Sequence, residues 1–359
     1  MFVQNCWYVA AWDNELAEGA LISRTIINEP VVIYRAGDGG LVAMADRCPH
    51  RSAPLSLGRL EGDEVRCMYH GLKFARSGAC TEIPGQDMIP ATARVKTYPV
   101  VQRHSWIWVW MGDAALADEA LIPPAVGLDD PNWVLRHGHL DYEADYLLIN
   151  DNLTDFSHLS YVHANSFGAT EAFARTRPNV EILDRGVRIW RWMAADTAVR
   201  EDMERPAHRP EIGDGWQTYD FLAPGVLLMH SATCPAGTAA RLGGGKPDPS
   251  QVEMRGENFT SQAVTPMTDK TARYFFSWGP RAGEGAEAVA DAMLKVAHMA
   301  FNEDKVMIEA QQRVIDQGGE VKPILTSADV GPMQFRAVLE RLIKAERAPQ
   351  GAGETAAVA

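Results

Sequence analysis

Residues 48–70 read CPHRSAPLSLGRLEGDEVRCMYH, and this stretch decides how the rest of the chain is read. Cys48 and His50 form one pair, Cys67 and His70 a second, and sixteen residues separate the pairs. Two short loops, each supplying one thiolate and one imidazole, suit a cluster in which Cys binds one iron and His the other. That exchange of His for Cys raises the reduction potential, so the stretch reads as a one-electron relay. Structural zinc is the rival. Zinc sites usually pair Cys with Cys across two to four residues and His with His across three to five. Here both loops are mixed and the first spacing is a single residue, which favours the two-iron cluster.

The remaining composition narrows the function. A chain of 359 residues with 46% hydrophobic content can build two domains or one large one around a sizeable core. A net charge of −13 argues against broad nucleic-acid binding, which needs a basic surface. Around the Cys/His loops the balance reverses. Arg47, Arg51, Arg59, Arg66, Lys73 and Arg76 outnumber Asp46, Glu61, Asp63 and Glu64, as a rim steering an acidic electron donor would. Beyond Cys48 and Cys67, the cysteines Cys6, Cys80 and Cys234 are odd in number and scattered, so no disulfide framework is expected. The opening MFVQNCWYVAAWDNEL lacks a signal-peptide pattern and no stretch is apolar enough to span a membrane. A cytoplasmic protein is expected, with no membrane association.

Short β-rich runs dominate the first hundred-odd residues: Arg24 to Ile27, Val31 to Arg35, Leu41 to Ala45 and the aromatic Trp106 to Trp110. An Ala-rich, helix-like stretch after Gly112-Asp113, with Pro123-Pro124, reads as the join to a second part. There a strand is expected over Asp141 to Tyr146, with helix from Leu147. Strands follow over Val187 to Met193, Trp216 to Leu222, Val226 to His230, Phe259 to Val264 and Ala272 to Trp278. Long helices are expected over about Glu287–Asp316 and Pro332–Arg347.

A second constellation lies in Ile149-Asn-Asp-Asn-Leu-Thr-Asp-Phe-Ser-His-Leu-Ser-Tyr-Val-His163. At roughly 100° per residue, Asp151, Asp155 and His158 share a helical face, while His163 falls about 140° round from His158. For both imidazoles to bind one metal, the helix must end or bend between them. Further on, Glu303 and Asp304 flank an apolar stripe of the long helix through Val289, Met293, Ala300, Met307 and Val314. Each acid lies about 20° outside the stripe, so periodicity does not choose between them.

The pattern C-x-H then C-x-x-H resembles the Rieske signature. The 149–163 segment is similar to the mononuclear iron motif of Rieske non-haem oxygenases: an acid, three residues, Asp, two residues, His, four residues, His. The resemblance runs from Asn5-Cys-Trp-Tyr-Val-Ala to Glu346-Arg-Ala and is to the branch of vanillate O-demethylase, toluenesulfonate methyl-monooxygenase and dicamba O-demethylase. It implies an α+β fold, with an N-terminal Rieske β-domain (1–118), a C-terminal helix-grip domain with an antiparallel sheet (119–347) and a disordered tail (348–359). It implies a [2Fe–2S] cluster on Cys48, His50, Cys67 and His70. It also implies a mononuclear Fe(II) on His158, His163 and Asp304, the last from a Glu-Asp helix motif, with Glu303 as fallback. In similar proteins head-to-tail homotrimers let the cluster of one subunit serve the iron of its neighbour. That maps a bridging role onto Asp155, hydrogen-bonded to His70 of one chain and His158 of the other, and places Asn152 near the iron.

The implied reaction draws electrons from NAD(P)H through a flavin- and ferredoxin-type reductase and uses O2 to hydroxylate a methyl group of a small aromatic acid. O-demethylation of a vanillate-like methoxyarene, releasing formaldehyde, is the leading expectation. Aryl-methyl hydroxylation, ring dihydroxylation and a plain Rieske electron carrier are the alternatives. For the substrate pocket, alignment with the branch nominates Met229, His230 and Gln262, with Trp216 and Phe276 as apolar walls and His230 or Arg281 as holders of an acid group. Met229 and Gln262 stand where dicamba O-demethylase uses Asn and His, which argues against dicamba as substrate.

Overall fold

The computed structural model describes residues 1–163, 166–167, 171–194, 213–248, 250–318 and 323–347. The expected tail, 348–359, lies outside the described residues. In the N-terminal part Cys6–Trp12 pairs with Trp106–Met111, which pairs with Val100–Arg103. Both Cys6–Trp12 and Trp106–Met111 are buried throughout, so their apolar residues do not alternate. One set of side chains joins Ile26, Val31 and Ile33 in a shared core, and the other packs Trp7, Trp12, Trp106, Trp108 and Trp110 on the large sheet. A second sheet joins Leu21–Ile26, Glu29–Arg35, Leu41–Ala45 and Thr97–Tyr98. A third, of Arg59–Glu61, Glu64–Arg66, Lys73–Phe74 and Cys80–Glu82, carries the Cys/His loops.

The C-terminal part is built on a seven-stranded sheet. In spatial order the strands are Arg136–Tyr142, Thr271–Pro280, Arg255–Thr268, Val226–Cys234, Asp214–Leu222, Gly186–Met193 and Asn179–Leu183. Every pairing is antiparallel. One face, through Val226, Leu228, Ala263 and Phe275, meets the tryptophan cluster. Residues of the other face, Tyr274 and Phe276, meet Phe301 of the long helix Ala286–Asp316. This is the expected α+β, helix-grip arrangement.

Three expectations need correction. The strand placed at 141–146 lies at Arg136–Tyr142, because Asp145 caps the helix Tyr146–Thr154 by accepting from the Leu147 amide. The Ala-rich linker forms two short 3-10 turns, each capped by an aspartate, Asp113 and Asp118. The buried face of the long helix is Ala286, Ala290, Ala297, Ala300, Phe301, Asp304, Ile308 and Gln312. Of the predicted stripe, Val289, Met307 and Val314 are exposed. The small alanines bring the helix backbone close to the sheet, so this face, and not the bulkier apolar one, packs inward. Asp304 therefore lies within the buried face.

Candidate active site

The helix Tyr146–Thr154 ends where the two histidines need it to. Asp155 is extended (φ −127°, ψ 102°) and caps a 3-10 turn, Phe156–Ser160, by accepting from the Ser157 amide. The break brings His158 and His163 to face Asp304. Candidate ligand atoms of the three residues all lie within 4.8 Å of one another. His163 Nε2 is 3.2 Å from Asp304 Oδ1 and His158 Nε2 is 3.5 Å from the same oxygen.

The other ring nitrogens are already occupied. His158 Nδ1 lies 2.7 Å from the Asp155 carbonyl, and His163 Nδ1 lies 2.9 Å from Glu303 Oε2. Each acceptor fixes the proton on Nδ1 and leaves the Nε2 lone pair for a metal. Glu303 also accepts from Ser166 Oγ at 2.6 Å. The two acids that periodicity left undecided thus have different places. Asp304 faces both Nε2 atoms, while Glu303 holds His163 from behind.

Asp304 is 5% exposed, and among the described residues no Lys or Arg pairs with it. Its remaining partner is Asn152, whose Nδ2 donates to Oδ1 at 3.0 Å. A buried carboxylate without a cation is costly. Burial disfavours the imidazolium of His163, but its hydrogen bond to Asp304, and then Glu303, outweigh that and raise its pKa. Burial above all lowers the pKa of His158, keeping a neutral lone pair available near neutrality. Two imidazoles and one carboxylate around an anion-rich point, with room left beside them, form the facial triad of non-haem Fe(II) sites.

The two Cys/His loops are near copies of each other. The Cys48 amide donates to the Ala53 carbonyl and the Ser52 amide to the Cys48 carbonyl, both at 2.8 Å. In the second loop the Cys67 amide donates to Leu72 and the Gly71 amide to Cys67, at 2.8 and 2.9 Å. The turn residue is left-handed in both, Ser52 at φ 56° and Gly71 at φ 77°. Cys48 and Cys67 are free and buried, whereas His50 and His70 are exposed with ring centroids 4.5 Å apart. Burial pushes the Cys48 thiol up to about 11, so a thiolate here needs bound metal to stabilise it. Buried sulfurs behind and exposed imidazoles in front fit a [2Fe–2S] cluster at the protein surface. Buried Asp46 braces the first loop, accepting from Ser23 Oγ, Ser56 Oγ and the Ser56 amide.

Beside the triad lies a cavity of about 260 Å³, at the small end of the roughly 300–1,000 Å³ typical of ligand sites. Leu153, Phe156, Leu159, Phe167, Trp278 and Phe301 supply its apolar walls. Its sheet floor includes Gln217, Met229, Ser231, Asn258, Thr260 and Gln262. Gln262 donates to Thr260 Oγ1 at 3.0 Å, and its own Oε1 is buried without a partner.

Residues 6–99 match the Rieske [2Fe-2S] domain, and residues 142–345 match the vanillate O-demethylase oxygenase C-terminal domain. The chain belongs to the Rieske non-haem iron oxygenases. It is 41% identical over 350 residues to the toluene-4-sulfonate monooxygenase system iron-sulfur subunit TsaM1 of Comamonas testosteroni, spanning 96% of this chain and 98% of that one. It is 33% identical to the vanillate O-demethylase oxygenase subunit of Pseudomonas sp. (strain HR199 / DSM 7063), over 97% and 96% of the two chains. Among solved structures, dicamba monooxygenase bound to dicamba aligns with a TM-score of 0.79 and 30% identity, covering 97% of this chain and 99% of that one. The protein is thus an O2-dependent Rieske-type monooxygenase with a [2Fe–2S] cluster and a mononuclear iron on His158, His163 and Asp304.

In this oxygenase several expected contacts fall elsewhere. His230 is outside the cavity: it follows Met229 on one strand, so it points to the opposite face, where Nε2 lies 3.0 Å from Glu257 Oε2. Arg281 is drawn to the same Glu257. Trp216 stacks on Trp192 in a separate cluster, and Phe276 is sealed beneath Phe301 and His298. Asp151 does not join the metal site; both its oxygens accept from Arg336 of the C-terminal helix Val330–Arg347. Asp155 meets His158 through its backbone carbonyl, while its carboxylate accepts from the Ser157 amide and hydroxyl. The basic rim is mostly neutralised: Arg59, Arg66, Lys73 and Arg76 pair with Glu61, Glu64, Glu82, Asp38 and Asp63. Arg47 and Arg51, beside His50, remain without an ion pair among the described residues.

Sequence reasoning missed Phe167, Gln217, Ser231, Asn258, Thr260 and Trp278. Strand alternation held the signal for three of them, since Met229 implies Ser231, and Gln262 implies Thr260 and Asn258. Among the described residues no helix is long and apolar enough to cross a membrane.

Proposed function

We propose that this oxygenase hydroxylates a methyl group carried on the ring of a small aromatic acid, R–CH3 + O2 + 2 e⁻ + 2 H⁺ → R–CH2OH + H2O. The observation that carries this reading is the 41% identity, over nearly all of both chains, to the toluene-4-sulfonate monooxygenase subunit, against 33% to a vanillate O-demethylase subunit. O-demethylation is the leading expectation from the residues and their resemblance; the balance of similarity favours its alternative. The cavity supports a single-ring substrate, because it is small and walled by Phe156, Phe167, Trp278 and Phe301.

The bound iron would supply O2 activation with electrons relayed by the cluster. The chain's own part is positioning. Glu303 and the Asp155 carbonyl hold the two imidazoles in one tautomer, and Asn152 steadies Asp304. The aromatic walls exclude water and hold the methyl-bearing ring beside the triad. Electrons would come from an NAD(P)H-dependent reductase. We further read the active assembly as a homotrimer in which Asp155 links His158 to His70 of a neighbour. The exposure of His70 in the single chain is consistent with this.

The test is a product screen with purified enzyme, a reductase and NADH on 4-methylbenzenesulfonate, 4-methylbenzoate and 4-methoxybenzoate under isotopically labelled O2. The proposal requires hydroxymethyl products carrying one labelled oxygen. Formaldehyde from the methoxy acid, with the methyl acids untouched, would return the assignment to O-demethylation.

A further inference from the structure

Residues directly opposite one another on antiparallel strands share a face, so the cavity floor is ordered in rows. One row runs Arg191, Gln217, Ser231 and Asn258, one residue from each of four adjacent strands. Gln217, Ser231 and Asn258 line the cavity, and Arg191 stands at the row's end. The next row, Tyr219, Met229, Thr260 and Trp278, carries no charge.

Arg191 is 2% exposed, and its Nε has no hydrogen-bond partner. Among the described residues it forms no ion pair. The Phe173 ring covers one face of its guanidinium, 4.5 Å from the ring centroid. Stacking of this kind leaves the in-plane N–H groups free for an oxyanion. Asp155 acts on it only at longer range, since that carboxylate accepts from Ser157.

The cavity lining contains no Lys or Arg. The side chains first nominated to hold an acid group, His230 and Arg281, are both engaged by Glu257. Trp278 Nε1 donates to Asn258 Oδ1 at 2.8 Å, which orients the amide, and Asn258 Nδ2 gives one N–H to the Gly256 carbonyl at 3.3 Å and keeps its second as a donor. Cross-strand neighbours sit about 5 Å apart, so an anion held at Gln217 would be within reach of the long Arg191 side chain.

We propose that this row is the anion-recognition edge of the substrate site. The sulfonate or carboxylate oxygens of an aromatic acid accept from Gln217, Ser231 and Asn258, with Arg191 as their counter-charge. The inference rests on the reading of the substrate as a small aromatic acid.

The experiment compares 4-methylbenzenesulfonate with its neutral isostere 4-methylbenzenesulfonamide, using the iron-loaded enzyme with its reductase. In R191Q the preference for the acid over the amide should fall about 30-fold, the order expected for a lost charged hydrogen bond, and the loss should appear in KM. R191K should recover part of it, because it restores charge without the planar fork. Q217L should lower the same preference about 5-fold, which keeps a test in hand if R191Q does not fold. Equal losses for acid and amide in Q217L and in whichever Arg191 variants fold would make the row merely structural and overturn the proposal. So would an unchanged preference. A wild-type enzyme that accepts the amide and rejects every acid would overturn the substrate class, and the anion edge with it, before any variant is made. Demethylation of a methoxy acid with the same Arg191 dependence would remove only the methyl-hydroxylation reading.

Discussion

Glu303→Gln isolates the charge behind His163 while keeping nearly the same shape. In the native site Glu303 Oε2 accepts from His163 Nδ1 at 2.9 Å and from Ser166 Oγ at 2.6 Å. Glutamine can still offer one carbonyl oxygen, but the hydrogen bond becomes neutral and the imidazole a poorer donor to metal. Hydrogen bonds to charged groups contribute about 1.5–3 kcal/mol against roughly 1 kcal/mol for neutral ones, so the change should cost on the order of 1–2 kcal/mol. That corresponds to about 5- to 30-fold in metal affinity, in line with the 10–100-fold usual when an outer-shell partner of a ligating histidine is changed. The assay is titration of iron-depleted protein with Co(II), followed by its visible ligand-field bands, with the [2Fe–2S] absorbance as internal control. The Co(II) dissociation constant should rise within that range while the cluster bands stay fixed. An unchanged constant would refute the reasoning, because Glu303 would then be an ordinary solvated acid. Loss of the cluster bands would show that the substitution damages more than the iron site.

Other expectations follow from the same geometry. His158→Ala removes one of three iron ligands, so turnover should vanish while the cluster's visible spectrum persists; loss of the cluster would contradict two separate sites. Exposure to a ferrous chelator should strip the mononuclear iron first, since the cluster sulfurs are buried, and added Fe(II) should restore activity; parallel bleaching of the cluster would count against this order. Asp155→Asn should leave both metals bound and slow single-turnover electron transfer by more than tenfold; near-normal transfer would reject the bridging role. Arg336→Ala breaks a bidentate pair with the partly buried Asp151 and should cost about 1–2 kcal/mol, discounted because the arginine is half exposed. Thermal melts would read the stability, and iron content would report any loosening of the helix that carries Asn152.

Much of the fold was legible because the chain punctuates it clearly. Strands such as Leu41–Ala45 and Val226–Cys234 are bounded by turns, and the long helix begins and ends within a residue of its predicted limits. The metal ligands were legible for a different reason: their spacing is fixed by the loops that hold them. What could not be read was which side of an element faces inward. On the long helix the bulkier apolar stripe is the exposed one, since close packing on the sheet selects the alanines. Periodicity could not choose between Glu303 and Asp304; the family resemblance named Asp304, and the structure bears that out and gives both acids a task.

The substrate residues show the same limit and one that could have been avoided. Met229 and His230 were both placed in the pocket, yet adjacent residues of a strand point to opposite faces, so one nomination had to fail. Applied across the sheet, that parity would also have removed Arg281's companion His230 as an acid holder and directed attention to the row through Met229's neighbour Ser231. Following the register from Ser231 leads to Gln217 and then to Arg191. No local pattern marks Arg191 in the sequence, where it sits between Trp190 and Trp192 as one more residue of an aromatic strand. Its significance comes from what its neighbours across the strands do and from the absence of a carboxylate partner among the described residues. A cation buried at the end of a polar row, with no ion pair among the described residues and beside a cavity whose lining carboxylate, Asp304, faces the two histidines, is poorly explained by stability alone, because burial of an unpaired charge costs energy. A substrate that brings the missing negative charge would relieve that cost on binding, and would thereby favour acids over neutral rings of the same shape.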